Sequence, residues 1–181
     1  IACPYSLNTA KSVAKSKVAI ISNPAVWQVG RPDPNVIKVM LNDGIRFLTG
    51  NNDLVRSWGT VFHPSDRIAI KVNPIARQTG STKPEVCVAL AQTINENANI
   101  PYDQMVIFDV SGDDLIGAGY PLGVTKQGIR VCQTQDYSEM FYKDDVKARI
   151  SRIITDECSA LINVPLLKTH KSAGISVALK N

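Results

Sequence analysis

The sequence predicts an α/β domain with a Rossmann-like, mostly parallel sheet and helices on both faces. Short runs rich in Val and Ile alternate with longer helical patterns, which is typical of parallel strands joined by crossover helices. The 181 residues, 44% of them hydrophobic, are enough to form one sizeable core. We therefore expect a single α/β domain over residues 17–181, preceded by an N-terminal extension, residues 1–16.

Four apolar runs predict buried strands, because β-branched residues suit a sheet that is covered on both faces. They are "KVAIIS" (Lys17 to Ser22), "RIAIKV" (Arg67 to Val72), "QMVIFDV" (Gln104 to Val110) and "ALINV" (Ala160 to Val164). A weaker fifth run is "GIRVCQT" (Gly128 to Thr134). The stretch from Lys143 to Ile154 fits either a strand followed by a turn or a short helix.

Two helices are predicted between these runs, from Pro34 to Leu48 and from Pro84 to Asn97. Apolar residues recur in both at helical spacing. Each helix opens at a proline, which suits the first helical turn because the amide that proline lacks would have no partner there.

An internal similarity relates the segments Ala19 to Val36 and Ala69 to Val86. The segments "AIISNPAVWQVGRPDPNV" and "AIKVNPIARQTGSTKPEV" align without gaps, and each reads as strand, Asn-Pro, polar loop, Pro and helix. Two related β-loop-α units would explain the match. The similarity is explained equally well if Asn-Pro at a strand end and Pro at a helix start are common local signals.

Charge and cysteine usage exclude several classes of protein. The net charge of +4 is spread along the chain without a basic run, which argues against nucleic acid but suits a local pocket for an anion. No run approaches the ~20 apolar residues of a membrane span. The start of the sequence shows no signal peptide, so we expect a cytoplasmic protein, or an exported one whose signal has been removed.

The four cysteines are far apart and include no C-x-x-C pair, so no zinc or iron-sulfur ligand set is predicted. Two disulfides would form only in an exported protein. Otherwise we expect Cys87, Cys132 and Cys158 to be buried thiols, whereas Cys3 lies in the N-terminal extension.

Ligands of an open α/β sheet bind beyond the carboxyl ends of its strands, which gives a list of candidate residues. Lys71 and Asn73 end the second predicted strand, and Lys168, Thr169 and His170 follow the fourth. Lys71 interrupts an apolar run, so its ammonium either has a partner or a function, or its stem snorkels to water. His170 beside Lys168 is a candidate acid/base or metal ligand, and these two residues are the candidate catalytic pair.

The loop "TGSTKP" precedes the second helix and offers Thr79, Ser81, Thr82 and Lys83. Hydroxyls, a glycine and a lysine before a helix N-terminus could cradle an anion. An ordinary N-capping loop fits the same residues.

The stretch "DVSGDD" places carboxylates after the third predicted strand. Asp109 and Asp113 could hold a divalent cation such as Mg²⁺, because carboxylate oxygens suit hard cations. A solvated acidic turn is the alternative. Neither a G-x-G-x-x-G dinucleotide fingerprint directly after a first strand nor a G-x-S-x-G elbow is present.

The strand-end motifs together resemble a known prokaryotic family. "IAIKVNP", "STKPEV", "VIFDVSG", "ALINVPLLKTH" and "ISVALKN" follow one another in the order and spacing of Domain of Unknown Function 362. The resemblance implies that Lys180 and Asn181, in its closing Leu-Lys-Asn motif, belong to the site. Because family domains continue past this motif, the sequence is expected to be an incomplete part of the domain.

The resemblance leaves the activity open, because the family has no generally established reaction. Some relatives are fused to modules that bind [4Fe-4S] clusters, and the fold looks distantly similar to the N-terminal domain of nickel-pincer lactate racemases. We expect a strand-end pocket that binds a small anionic molecule, with catalysis and a divalent metal both open. The alternatives are a non-catalytic module associated with an iron-sulfur redox partner, and lysine and asparagine side chains that only scaffold loops.

Overall fold

The computed structural model describes residues 16–172 and 174–181. Almost all of the predicted N-terminal extension, with Cys3, lies outside the described residues. The α-helices are α1 (Pro34–Thr49), α2 (Leu54–Gly59), α3 (Pro84–Ala98) and α4 (Gly112–Gly117). The strands are β1 (Trp27–Gln28), β2 (Arg31–Pro32), β3 (Ile68–Val72), β4 (Met105–Asp109), β5 (Gly123–Val124), β6 (Arg130–Gln133), β7 (Phe141–Lys143), β8 (Val146–Ala148), β9 (Ala160–Val164), β10 (Lys168–His170) and β11 (Gly174–Ser176).

The main sheet has five strands in the order β5-β6-β4-β3-β9. Strands β6, β4, β3 and β9 are parallel, and only β5 at the edge is antiparallel. From β3 the chain proceeds outward through β4 to β6 and then returns to place β9 on the other side of β3. The direction of winding therefore reverses between β3 and β9, and this topological switch point is where α/β sheets bind ligands.

Alternate side chains of the central strand β3 serve two cores. Ile68, Ile70 and Val72 pack in the larger core beneath α1, α2 and α3. Ala69 faces the opposite side, where the smaller core includes Ile153 of a π-helical turn, Ile153–Glu157. Both faces thus carry helical elements, as the α/β prediction required, but one face is covered far more fully than the other.

The prediction of a strand from Lys17 to Ser22 was wrong. Among the described residues the segment pairs with no strand, and Val18 and Ile20 are largely exposed. An apolar run becomes a strand only where a neighbouring strand can satisfy its backbone groups, and β9 is instead the last strand on that side of the sheet. The two internally similar segments consequently share the proline-initiated helix but not the strand.

The other predicted strands are confirmed within one or two residues at each end as β3, β4, β6 and β9, and the two helices as α1 and α3. The ambiguous stretch from Lys143 to Ile154 contains both a strand and the beginning of a helical turn. It contains β8, which pairs with β7 in a hairpin, and the start of the π-helical turn. No helix in the described part of the chain is long and apolar enough to cross a membrane.

Candidate functional site

The candidate site lies at the switch point, beyond the carboxyl ends of β3 and β9. Lys71 of β3 and Asn163 of β9 are partners in the parallel register. Both side chains lie on the less covered face of the sheet, opposite the side chains of the larger core. The sheet therefore places two polar side chains next to each other, although they are 92 residues apart in the sequence.

Lys71 is held by a carboxylate of the same protein. Its Nζ lies 2.6 Å from Oδ2 of Asp109, and both side chains are mostly buried, with exposed fractions of 16% and 14%. The ammonium also donates to the carbonyl of Val72 (2.8 Å) and to Oδ1 of Asn181 (3.3 Å). The charge of Lys71 is thus neutralised locally, and its hydrogen-bonding capacity is used.

Asn181 and Asn163 complete this cluster. The amide nitrogen of Asn181 donates to Oδ1 of Asn163 at 2.6 Å and to the carbonyl of Lys71 at 3.3 Å. The amide nitrogen of Asn163 donates to the carbonyl of Ala178. Sequence reasoning did not select Asn163, although an asparagine that interrupts an apolar strand in the same way as Lys71 was a usable signal.

Lys168 lies in a different electrostatic environment. Its Nζ donates to Oδ1 of Asn73 and to the carbonyl of Gly80, both at 2.9 Å, and both acceptors are neutral. Among the described residues no carboxylate forms an ion pair with it. Partial burial, together with the nearby positive charge of Lys180, lowers the pKa of Lys168 from its usual value.

The loop before α3 uses its polar side chains to bind its own backbone. The hydroxyls of Thr79, Ser81 and Thr82 donate to the carbonyls of Ala76, Pro74 and Val164, respectively, and Nζ of Lys83 donates to the carbonyl of Gln78. No side chain caps α3. These contacts fix the carbonyl of Gly80 under Lys168, and the anion cradle at this loop stays a prediction.

Thr82 connects this loop to two strands. Its hydroxyl donates to the carbonyl of Val164 at 2.7 Å and accepts from the backbone N-H of Asn73 at 3.2 Å. The buried hydroxyl of Tyr120 donates to the carbonyl of Thr82 at 2.9 Å and contacts Sγ of Cys87. Burial raises the pKa of the Cys87 thiol to about 12 and also raises the pKa of Tyr120, so both groups stay neutral.

His170 and Lys168 lie on the same face of the β10–β11 hairpin, because alternate residues of a strand point to the same side. His170 is half-buried, and its Nδ1 accepts a hydrogen bond from the backbone N-H of Ser172 at 3.2 Å. In the neutral ring the proton is therefore on Nε2. Thr169 points to the opposite face and is exposed.

Ser176 is a site residue that sequence reasoning missed. It pairs directly with Lys168 across the hairpin, so the two side chains share one face. Ser176 is buried, with 2% of its surface exposed, and its Oγ has no hydrogen-bond partner among the described residues. Nothing in the local sequence distinguishes this serine; only the hairpin register places it beside the lysine.

The two predicted metal ligands, Asp109 and Asp113, have different surroundings. Asp113 is exposed in the first turn of α4, whereas Asp109 is engaged with Lys71. Within residues 16–172 and 174–181 no group of three His, Cys, Asp or Glu side chains could hold a metal ion. The three described cysteines are free; Cys87 is buried, and Cys132 and Cys158 are half-buried.

The fold and site define a class: an α/β domain whose polar residues gather at the switch point of a mostly parallel sheet. Residues 68–181 match the model of one family, described as Domain of unknown function (DUF362). The match covers more than half of the chain and includes all the strand-end motifs, so the protein belongs to this family. No curated protein and no solved structure shows significant similarity to the chain.

Proposed function

We propose that the strand-end site binds a small oxygen-rich anion, such as a carboxylate or a phosphate, at Lys168. The observation that carries the proposal is the electrostatic state of this lysine. Its ammonium is partly buried, meets only neutral acceptors among the described residues, and lies near a second cation, Lys180. Even a partly buried charge is costly without a counterion, and a bound anion would supply one.

The neighbouring groups favour an anion with several oxygen atoms. The unpartnered Oγ of Ser176 is a hydrogen-bond donor on the same face of the hairpin as Lys168. Lys180 adds a second positive charge from the exposed side. A carboxylate or phosphate could accept from the ammonium and the hydroxyl at once, whereas chloride offers no such directional pair.

His170 gives the site a group capable of proton transfer. It is placed on the Lys168 face, where an imidazole could exchange a proton with a ligand bound at Lys168. In a catalytic site Lys168 would stabilise negative charge on the ligand while His170 moved the proton. Such catalysis requires that the site first binds an anion.

The experiment is a thermal-unfolding titration of the protein with inorganic phosphate, acetate and succinate, at ionic strength held constant with sodium chloride. At a concentration near 100 times the dissociation constant, a ligand stabilises the folded state by about 2.7 kcal/mol. For a protein of this size, Tm should rise by roughly 5 to 10 °C. Lys168→Met should abolish the rise, and Lys168→Arg should retain part of it.

Lys126→Met is the matched control, because Lys126 is an exposed lysine in the turn before β6. It should retain the full response to the anion. Because the protein contains only two histidines, the ring-proton NMR signal of His170 can be separated from that of His63 by using His170→Gln. The signal of His170 should shift saturably with the anion. Equal Tm rises in wild type and Lys168→Met, or no rise with any of the three anions, would overturn the proposal.

A further inference from the structure

An apolar cavity that does not include Lys168 lies between the N-terminal segment, α1 and the start of α3. Its volume is about 600 Å³, within the range of small-molecule pockets. Its walls are almost entirely apolar and include both tryptophans of the chain, Trp27 and Trp58. Ile21 closes it over the helix: a methyl group added at Gly44 of α1 would lie 3.6 Å from a side-chain carbon of Ile21.

One side of this cavity adjoins a polar cleft of about 510 Å³. Pro32 and Lys83 line both spaces, and Arg31 lies in the cleft. The cleft also contains Glu85, so its charged side chains are two cations and one anion. An apolar chamber therefore opens towards a rim with a net positive charge.

The β1–β2 hairpin determines this arrangement. Val29 and Gly30 at its turn both have positive φ, of 49° and 79°, as in the tight turns that join antiparallel strands. The hairpin carries Trp27 on its first strand into the apolar cavity and Arg31 on its second strand into the cleft. One short element thus contributes to both the apolar and the cationic part.

We propose that this cavity binds an amphiphilic anion, with its hydrocarbon body in the apolar chamber and its carboxylate or phosphate at Arg31 and Lys83. Burial of an apolar body supplies most of the affinity, because each buried methylene is removed from water. The cationic rim selects the charged end by charge complementarity. This site does not include Lys168, although Ser81, Thr82 and Lys83 of the loop that supports that lysine also line the cavity.

The probe is decanoate, with decanol as the uncharged analogue of the same chain length. Because Trp27 and Trp58 line the cavity, intrinsic fluorescence reports binding directly. We expect a saturable change with decanoate at one site per chain. Gly44→Leu fills the chamber from α1 and should abolish this fluorescence change. The helix position tolerates a side chain, because the φ of Gly44 is not positive and an added Cβ would meet Ile21 at an ordinary van der Waals distance.

The charged rim is tested with Arg31→Gln and Lys83→Gln, and Lys143→Gln on the distant β7–β8 hairpin is the control. Each rim variant should weaken decanoate binding about tenfold and leave decanol binding unchanged, whereas the control changes neither. Lys168→Met should bind decanoate normally. A non-saturable response, or undiminished decanoate binding by folded Gly44→Leu, would overturn the cavity site. If Arg31→Gln and Lys83→Gln bound decanoate with the same affinity as the control Lys143→Gln, the anionic specificity would be overturned.

Discussion

Two lysines at the same edge of the sheet, Lys71 and Lys168, have opposite electrostatic environments. Lys71 has a carboxylate at 2.6 Å, whereas Lys168 meets the neutral oxygens of Asn73 and Gly80. The charge of Lys71 is neutralised within the protein, whereas no described residue supplies a counterion to Lys168. A charged residue at a strand end is therefore not in itself a ligand site; the identity of its partners decides whether it stabilises the fold or remains available to a ligand.

The largest effect is expected at the complete pair. Asp109→Ala leaves the ammonium of Lys71 partly buried without its carboxylate, and breaking a buried pair in this way costs about 3 kcal/mol. Urea unfolding measures the loss as a lower midpoint with an unchanged slope. Asp113→Ala, an exposed carboxylate four residues further on, should change the free energy of unfolding by less than about 0.5 kcal/mol. Similar losses for both variants would contradict a structural Lys71–Asp109 pair.

An intermediate effect is expected for the loop that supports Lys168. Thr82→Val removes a donor to the carbonyl of Val164 and an acceptor for the N-H of Asn73, which should cost about 1 to 3 kcal/mol. Anion binding should weaken as well, because this loop positions the carbonyl of Gly80. Thr79→Val is the control in the same unfolding and titration measurements, because Thr79 is exposed and its hydroxyl donates to the carbonyl of Ala76 within the same loop. Unchanged anion affinity in Thr82→Val would separate the loop from the site.

The smallest effect is expected for Lys168→Met in the absence of ligand. The substitution removes a cation that has no counterion, so the free energy of unfolding should stay within about 1 kcal/mol of wild type or rise. In contrast, Lys71→Met should be destabilising, because it leaves Asp109 without its partner. A large loss for Lys168→Met would show that this lysine is as structural as Lys71.

The pH dependence gives a finer test of Lys168. Its pKa is lowered in the folded state, so the unfolded chain holds the proton more tightly. The cost of the charge to the folded state is present at neutral pH and disappears as the pH rises towards the unfolded value of 10.5. The stability of wild type relative to Lys168→Met should therefore rise between neutral pH and pH 10.5 in phosphate-free buffer, and a flat or falling difference would contradict the lowered pKa.

The site was only partly predictable from sequence. The rule that ligands bind beyond the carboxyl ends of strands placed Lys71, Asn73 and Lys168 in one region, and the sheet brings them there. The same rule could not predict that Asp109 pairs with Lys71 instead of binding a metal, because the contact requires β3 and β4 to be neighbouring strands in this register. It also missed Ser176, whose position depends on the pairing of β10 with β11.

The sequence by itself determined the local elements of this protein: the β-branched strands, the helices that begin at Pro34 and Pro84, and the polar residues that end the strands. These depend on contacts within a few residues, so local patterns are sufficient to predict them. The tertiary structure decided that Lys17 to Ser22 forms no strand, and which lysine obtained a carboxylate. Both outcomes depend on partners distant in the chain, since a strand needs a neighbouring strand and a charge needs a counterion.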